Sequence, residues 1–236
     1  MRTLRLSHWI ASTLILLPAI LCAQNRPART SSAELHLHIQ PTPATHGKVA
    51  AVVWLEPLGA TPVLSFTPQG HYTLLQKNRT FMPHLQVVPV GSVVQFPNAD
   101  PFFHNVFSLF DGKRFDLGLY EAGSTKSVTF SRSGVSYIFC NIHPEMSAVV
   151  LSLSTPLFAI ADSTEAVTIH YVPPGDYNLN VWVEGVPQTT LSALTRKLHV
   201  GGGAADLGDI QIPVAPANGH TNKFGGQYDT TTKPPY

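Results

Sequence analysis

Charge, cysteine and long helical patterns are all scarce in this sequence. Only 12% of its 236 residues are charged, about half of the roughly 25% usual for globular domains, which argues against a disordered or coiled-coil chain. The 15 Lys and Arg nearly balance the 14 Asp and Glu, so no basic surface for nucleic acid is expected. No segment keeps a 3.6-residue apolar period, and 20 prolines and 17 glycines interrupt the chain. An all-β protein is therefore expected.

A single long apolar stretch stands near the N-terminus, where two arginines precede residues 9–23. This stretch is too short to cross a bilayer, so it predicts a signal peptide over residues 1–23 and a secreted or periplasmic protein without a membrane span. Lipidation at Cys22 is the less favoured alternative because the residue before it is bulky. Signal cleavage removes Cys22 and leaves Cys140 as a lone cysteine, which a bound metal would protect from oxidation.

Short strand patterns recur along the rest of the chain about every ten residues, with turn residues between them, as in a β-sandwich. Residues 190–200 are also predicted as a strand, with a single helical turn as the alternative. Residues 214–236 contain little that could be buried, so they are predicted to form a disordered tail. The predicted strands up to residue 153 are residues 34–39, 49–55, 84–90, 92–96, 103–110, 126–130, 136–140 and 148–153.

Three metal-binding side chains lie close together in the segment C-N-I-H-P-E-M, which runs from Cys140 to Met146 with His143 between them. Thiolate and thioether are soft ligands and imidazole is borderline, a set that suits copper in both oxidation states. A trigonal copper site with an axial Met needs a second histidine. His104, at the start of a predicted strand well upstream, is the candidate, because a rigid sandwich could hold it against the loop.

With these four residues in order, residues 67–156 resemble a cupredoxin, a Greek-key β-sandwich of the plastocyanin, amicyanin and azurin group. The segment F-P-N-x-D-x3-H-N, from Phe96 to Asn105, is similar to the first ligand segment of that family. The resemblance implies that Asn105 forms a hydrogen bond across to the cysteine loop. It also implies one copper ion with four ligands, namely His104, Cys140, His143 and Met146.

The flanking segments resemble a different fold. Residues 49–57 and 172–182 are similar to strands of carboxypeptidase-regulatory-like, or transthyretin-like, sandwiches. This implies a second, smaller β-sandwich made of residues 33–66 and 157–213, with the cupredoxin inserted between its two parts. The arrangement resembles exported proteins labelled plastocyanin-like or methylamine-utilisation proteins. The alternative is that these strands extend the cupredoxin sheets.

The resemblance implies an exported type 1, or blue, copper protein that carries single electrons between redox partners and is not an enzyme. Partners would dock transiently where the edge of His143, Pro144 and Phe102 form an apolar patch. The rival function is a copper-holding or cell-surface binding module in which the flanking sandwich does the main work. Three other interpretations of Cys140 are less favoured. It could be a structural cysteine, a zinc ligand or half of a Cys-His nucleophilic pair.

Other histidines are weaker candidates for metal binding. His36 and His38 are two residues apart on one face of a predicted strand and could form a secondary metal site, although such a pair is more often a polar strand face. His84 precedes a predicted strand and is a further candidate near the site. No oligomeric state is predicted.

Overall fold

The computed structural model describes residues 32–42, 50–109, 112–213 and 221–227. The signal peptide predicted over residues 1–23 lies outside the described residues. Within them strands predominate, joined by turns and irregular loops, and the one helix has seven residues. The predicted all-β class is therefore confirmed. No helix in this part of the chain has both the length and the apolar composition needed to cross a bilayer.

The described elements follow one another in a regular series of short strands. The first nine are β1 (Ala33–Thr42), β2 (Ala51–Pro57), β3 (Tyr72–Thr73), β4 (Leu75–Lys77), β5 (Thr80–Met82), β6 (Leu85–Pro89), β7 (Ser92–Pro97), β8 (His104–Ser108) and β9 (Phe115–Tyr120). The others are β10 (Thr125–Phe130), β11 (Gly134–Cys140), β12 (Ser147–Leu153), β13 (Phe158–Ile160), β14 (Ala166–Val172), β15 (Gly175–Val183), α1 (Gln188–Leu194), β16 (Arg196–Val200) and β17 (Gly203–Pro213).

Two sheets are built from the early and late parts of the chain, with strand orders β14-β1-β17 and β13-β2-β15-β16. In β1, alternate residues such as Leu35 and Ile39 are buried, while the residues between them are half-exposed. This period-2 pattern gives the sheet one apolar face. That face packs on the second sheet through a cluster that we call the flanking core, centred on Leu35, Ile39, Leu55, Tyr177 and Trp182.

The middle of the chain forms two further sheets, with orders β10-β7-β3 and β6-β12-β11-β8-β9, and a small hairpin of β4 and β5. The apolar residues between them form a second cluster, here called the central core, which includes Phe96, Val106, Ile138 and Val150. A sandwich around this core is what the resemblance to cupredoxins predicts. The domain boundaries at residues 66, 157 and 213 stay predictions, although the strands group into sheets in the same way.

Strand β12 shows how the two cores are joined. Six consecutive residues of β12, from Ala148 to Leu153, are buried. Because side chains alternate across a strand, Val150 faces the central core, whereas Val149 and Leu151 belong to the flanking core. A strand buried on both faces is expected to be mostly apolar, and here only Ser152 interrupts the apolar run. The five-stranded sheet is therefore a layer shared by both cores.

One predicted strand is different in the structure. Residues 190–200 divide into α1 and the strand β16. Pro187 stands at the N-cap of α1, where its fixed φ and missing N–H are tolerated. Leu191 is buried, and Leu194, three residues later, packs on the same flanking core. The helix forms because this spacing places both leucines on one helical face.

An ion pair between His84 and Glu184 fastens the start of β6 to the end of β15. His84 Nε2 lies 2.8 Å from a carboxylate oxygen of Glu184, and Nδ1 lies 3.1 Å from the carbonyl oxygen of Ser147. The hydrogen bond with Glu184 is the largest influence on the pKa of His84 and raises it, against the opposing effect of burial. The side chains of both partners remain more than a third exposed.

We expect this ion pair to contribute pH-dependent stability. A raised folded-state pKa stabilises the fold fully below the ordinary histidine pKa of about 6.5, and the benefit disappears as the pH rises through the folded value. The variant His84→Gln should therefore lower the melting temperature more at pH 6 than at pH 8.5. The loss should be at most about 1 kcal/mol because the pair is partly exposed. Thermal unfolding followed by circular dichroism measures it.

The variant Glu184→Gln is the matched control, because it removes the other charge of the same pair. It should show the same dependence on pH as His84→Gln. A destabilisation that is equal at pH 6 and pH 8.5 in both variants would contradict an ionic origin and indicate a loss of packing.

Candidate metal centre

Strand pairing places the two predicted ligand segments side by side. His104 is the first residue of β8 and Cys140 is the last of β11. These strands pair antiparallel, with Cys140 opposite Val106. Beyond the last pair, the N–H of Asn141 donates to the carbonyl of Asn105 at 3.0 Å. His104 and Cys140 therefore lie at the same end of one sheet.

The loop after Cys140 closes on itself and returns the chain into β12. The N–H of Met146 donates to the carbonyl of His143 at 3.0 Å, and the N–H of Cys140 donates to the carbonyl of Met146 at 3.2 Å. All three side chains are buried, with His143 only 2% exposed. The loop is thus held by its own main chain at both ends.

Three donor atoms of these segments face one another. The Sγ of Cys140 lies 3.6 Å from Nδ1 of His104 and 3.6 Å from Nδ1 of His143. The two nitrogens are 3.1 Å apart. Among the described residues, this is the one group of His, Cys, Asp and Glu side chains whose donor atoms are close enough to hold an ion. We call these three residues the donor triangle.

The spacing of the donor triangle fits a trigonal metal site. With metal–nitrogen bonds of about 2.0 Å and a metal–sulfur bond of about 2.3 Å, a flat site needs donors about 3.5 and 3.7 Å apart. The observed separations are slightly shorter than these. Two imidazoles and a thiolate are also the equatorial donors of blue-copper sites. Ions that prefer oxygen ligands, such as Ca²⁺ and Mg²⁺, do not match this donor set.

Met146, the predicted axial ligand, lies next to the triangle along the loop. Its side chain is fully buried in the central core together with Cys140. A weak thioether ligand in this position would complete the predicted set. Ligation by Met146 stays a prediction.

Burial dominates the electrostatics of the triangle. It raises the pKa of the Cys140 thiol, while the backbone N–H groups of Asn105, Ile142 and His143 act in the opposite direction. Burial also lowers the pKa of His104 and that of His143, and at His143 the neighbouring His104 adds to this effect. Both histidine side chains are therefore neutral near pH 7, the form that binds a metal, whereas the thiol must release its proton when a metal binds.

The contact across to the cysteine loop that was predicted for Asn105 is made by its main chain, which accepts the N–H of Asn141. Its side chain points elsewhere, because Nδ2 donates to Oδ1 of Asp116 at 2.6 Å. The Oδ1 of Asn105 is buried and has no hydrogen-bond partner among the residues that the structure describes. The two ligand segments are thus joined by the backbone.

Part of the predicted C-terminal tail contacts this region. Of residues 214–236, the described residues 221–227 form a turn, and the others lie outside the described part of the chain. The N–H of Lys223 donates to Oδ1 of Asn141 at 3.0 Å, and its Nζ lies 2.7 Å from Oδ2 of Asp116. This segment therefore lies against the ligand loop, where a disordered tail was predicted.

An aromatic side chain covers the triangle. The ring centre of Phe102 lies 5.3 Å from that of His104 and 5.5 Å from that of His143. The guanidinium of Arg79 stacks over Phe102 at 5.3 Å. The Nε2 of His143 is buried and finds no hydrogen-bond partner among the described residues. The edge of His143, which was predicted to share an apolar patch with Pro144 and Phe102, thus lies beneath the Phe102 ring.

The second nitrogen of His104 has a partner that was not predicted. Its Nε2 lies 2.9 Å from Oδ2 of Asp100, and both side chains are buried. Asp100 stands four residues before His104 in the first ligand segment. An acidic residue so close in sequence to a candidate ligand was the signal that could have indicated this contact. Spacing alone, however, does not show which way the carboxylate points.

The other candidate histidines lie away from the donor triangle. His36 Nε2 lies 3.0 Å from a carboxylate oxygen of Glu34, and its Nδ1 lies 3.2 Å from the hydroxyl of Thr168. Both nitrogens of His84 are occupied by Glu184 and Ser147. Neither residue, nor His38, joins a metal-binding group among the described residues.

No family model matches this sequence, and no curated protein matches it. Solved structures with similar folds include a copper-containing nitrite reductase (NirK) from Thermus scotoductus SA-01, with 23% identity and a TM-score of 0.34. The match covers 42% of this chain but only 25% of the reductase. A purple cupredoxin from Nitrosopumilus maritimus has 23% identity and a TM-score of 0.32, over 36% of this chain and 100% of that one. A mutant of amicyanin in its oxidized state has 21% identity and a TM-score of 0.34, over 36% and 83% of the respective chains.

Removal of the thiol should abolish tight metal binding. We expect Cys140→Ser to weaken Cu²⁺ binding by more than about 100-fold, beyond the 10–100-fold typical of a residue that only supports a ligand. The control is His84→Gln, which removes a histidine outside the triangle and should leave affinity and stoichiometry unchanged. Competition titration with a copper chelator measures both. Unchanged affinity in Cys140→Ser would contradict the prediction and place the bound copper outside the donor triangle.

Proposed function

We propose that this chain is an exported type 1 copper protein that carries single electrons. One ion would be held by four side chains, those of His104, Cys140, His143 and Met146. The observation that supports this most strongly is the buried donor triangle, in which one sulfur and two nitrogens lie 3.1–3.6 Å apart. A structural cysteine would not require two imidazole nitrogens to face its sulfur.

Copper bound in such a site supplies a one-electron couple between its two oxidation states. The protein's part is to keep the donors in the same positions in both states. His104 and Cys140 lie on paired strands, and the loop that carries His143 is closed by main-chain hydrogen bonds. Because side chains on paired strands cannot move far without breaking the sheet, little rearrangement should accompany electron transfer.

The burial of the site favours a carrier over an enzyme. The three donor residues are at most 2% exposed, and the ring of Phe102 lies over both histidines. A substrate would have to displace part of this cover, such as the Phe102 ring, to reach the metal position. An electron needs no such opening, since it can pass through packed side chains.

We propose that electrons leave by way of the covering ring. Phe102 contacts His143 and is itself partly exposed, while its neighbour Phe103 is 46% exposed and Pro144 is also on the surface. A small apolar patch of this kind fits a weak and transient redox partner. With a formal net charge of +1, long-range steering by charge should contribute little.

A copper titration tests the proposed function. The purified protein should take up one Cu²⁺ and develop an intense thiolate-to-copper absorption in the visible range, followed by a reversible one-electron wave in voltammetry. Tight Cu⁺ binding without a reversible wave would support the copper-holding module instead. A colourless Cu²⁺ complex would overturn the type 1 assignment altogether.

Replacement of the axial candidate gives a sharper test of Met146. In Met146→Leu the blue colour should remain, because the three equatorial donors are intact, while the reduction potential should rise. The rise is expected because the thioether donates electron density that stabilises the oxidised ion. Leucine is close in volume to methionine, so packing should change little. An unchanged potential would remove Met146 from the ligand set.

Export and the identity of the flanking sandwich belong to the same proposal. Residues 1–23 carry the pattern of a cleaved signal peptide. The grouping of β1, β2 and β13–β17 into the two sheets around the flanking core supports the proposed discontinuous sandwich of residues 33–66 and 157–213. In a secreting host, the mature protein should begin at Gln24, as measured by intact mass. A mass that retains residues 1–23 would contradict the cleavage.

A further inference from the structure

The two nitrogens of His104 have separate partners. Nδ1 faces the donor triangle, 3.6 Å from the Cys140 sulfur and 3.1 Å from the His143 nitrogen. Nε2 lies 2.9 Å from Oδ2 of Asp100. Since an ionised carboxylate only accepts hydrogen bonds, the proton of a neutral His104 belongs on Nε2. The lone pair of Nδ1 is then free for a metal.

The Asp100 carboxylate is held for this role by a turn on another part of the chain. The N–H of Asn78 donates to Oδ1 at 2.6 Å, and the N–H of Arg79 donates to Oδ2 at 3.0 Å. Asn78 and Arg79 lie between β4 and β5 and have φ values of 55° and 54°. These left-handed conformations aim two consecutive N–H groups at one carboxylate. They are energetically unfavourable for residues other than glycine and persist only where the surrounding structure enforces them.

The loop that carries Asp100 is fixed as well. The N–H of Asp100 donates to Oδ1 of Asn98 at 3.0 Å, and Nδ2 of Asn98 donates to the carbonyl of Phe102 at 2.7 Å. The N–H of Ala99 donates to the carbonyl of Gln76 at 2.9 Å. A carboxylate with 5% exposure, three donors and an anchored backbone cannot turn away from His104 without leaving those donors unsatisfied.

The hydrogen bonds of Asp100 favour its ionised form. The N–H groups of Asn78 and Arg79 and the His104 ring all face its two oxygens, and hydrogen bonds donated to a carboxylate stabilise the charged state. The carboxylate lies one imidazole ring away from the donor triangle.

We propose that Asp100 is a positioning residue that fixes the Nε2–H tautomer of His104 and favours the oxidised state of the bound ion. The inference rests on the proposed copper site. A carboxylate that accepts the proton of a ligating imidazole increases the donor strength of that imidazole. Its negative charge also attracts the more highly charged oxidised ion more strongly than the reduced one. Asp100 should thus lower the reduction potential.

The competing explanation is that Asp100 only holds the turn at Asn78 and Arg79. The variant Asp100→Asn separates the two, because it keeps the shape of the side chain and removes the charge. We expect it to reduce the preference for Cu²⁺ over Cu⁺ by about tenfold, which is a rise of about 59 mV for a one-electron couple. A purely structural role would lower the melting temperature and leave the potential unchanged.

The matched control is Asp116→Asn. Asp116 also binds the first ligand segment, through the side chain of Asn105, but it contacts no member of the donor triangle in the hydrogen bonds described. Its variant should leave the potential close to that of the wild type. Equal potentials for all three proteins would overturn the inference, as would equal rises in both variants.

A second measurement needs neither a variant nor a metal. In the metal-free wild type, nitrogen-15 NMR of the histidine rings should show His104 with its proton on Nε2 and a slowly exchanging Nε2–H. A proton on Nδ1 would overturn the inference even if Asp100→Asn failed to fold. If copper gives no thiolate band but the Nε2–H tautomer is found, the proposed function fails while the role of Asp100 in setting the tautomer stands.

Discussion

The pairing of β8 with β11 is the constraint on which the donor triangle depends. It sets His104 and Cys140 at one end of the same sheet, and the adjoining main-chain contact between Asn105 and Asn141 keeps them there. The short return into β12 then leaves His143 little choice of position. The protein therefore builds the triangle largely from backbone hydrogen bonds, which vary less with side-chain motion than a site assembled on flexible loops.

The side chains around the donor triangle set its electrostatics and its access to solvent. Burial keeps the imidazoles neutral and the thiol protonated until a metal replaces its proton. Phe102 closes the site on one side, and Asp100 contacts the far nitrogen of His104. Arg79 contacts both of these residues, since its N–H donates to Asp100 and its guanidinium stacks over Phe102. One small hairpin thus connects the surface of the protein with the environment of the metal position.

Much of this could be predicted from the sequence, for identifiable reasons. Cys140, His143 and Met146 are close together in the chain and chemically unusual, so their spacing carried information without a structure. Strand β12 was evident because burial on both faces makes residues 148–151 a run of four apolar residues.

Contacts between distant segments could not be predicted in this way. The hairpin of β4 and β5 was missed because Asn-Arg is a weak signal for its turn, where Asn-Gly is the usual pair. The Asp100 contact depends on that turn. Strand β9 was missed because it is a half-exposed edge strand interrupted by Gly118 at φ 65°. The burial of His143 depends on Phe102, whose direction no periodic pattern reveals.

The layer shared by both cores restricts how this protein can be divided. Cutting the chain at the predicted boundaries of residues 66 and 157 would separate the donor triangle from the flanking core and expose Val149, Leu151 and Tyr137 to water. Such a fragment would expose a contiguous apolar surface to water, and surfaces of this kind promote aggregation. Residues 67–156 would therefore be hard to transfer alone into another protein, since one face of their five-stranded sheet is covered by the flanking core.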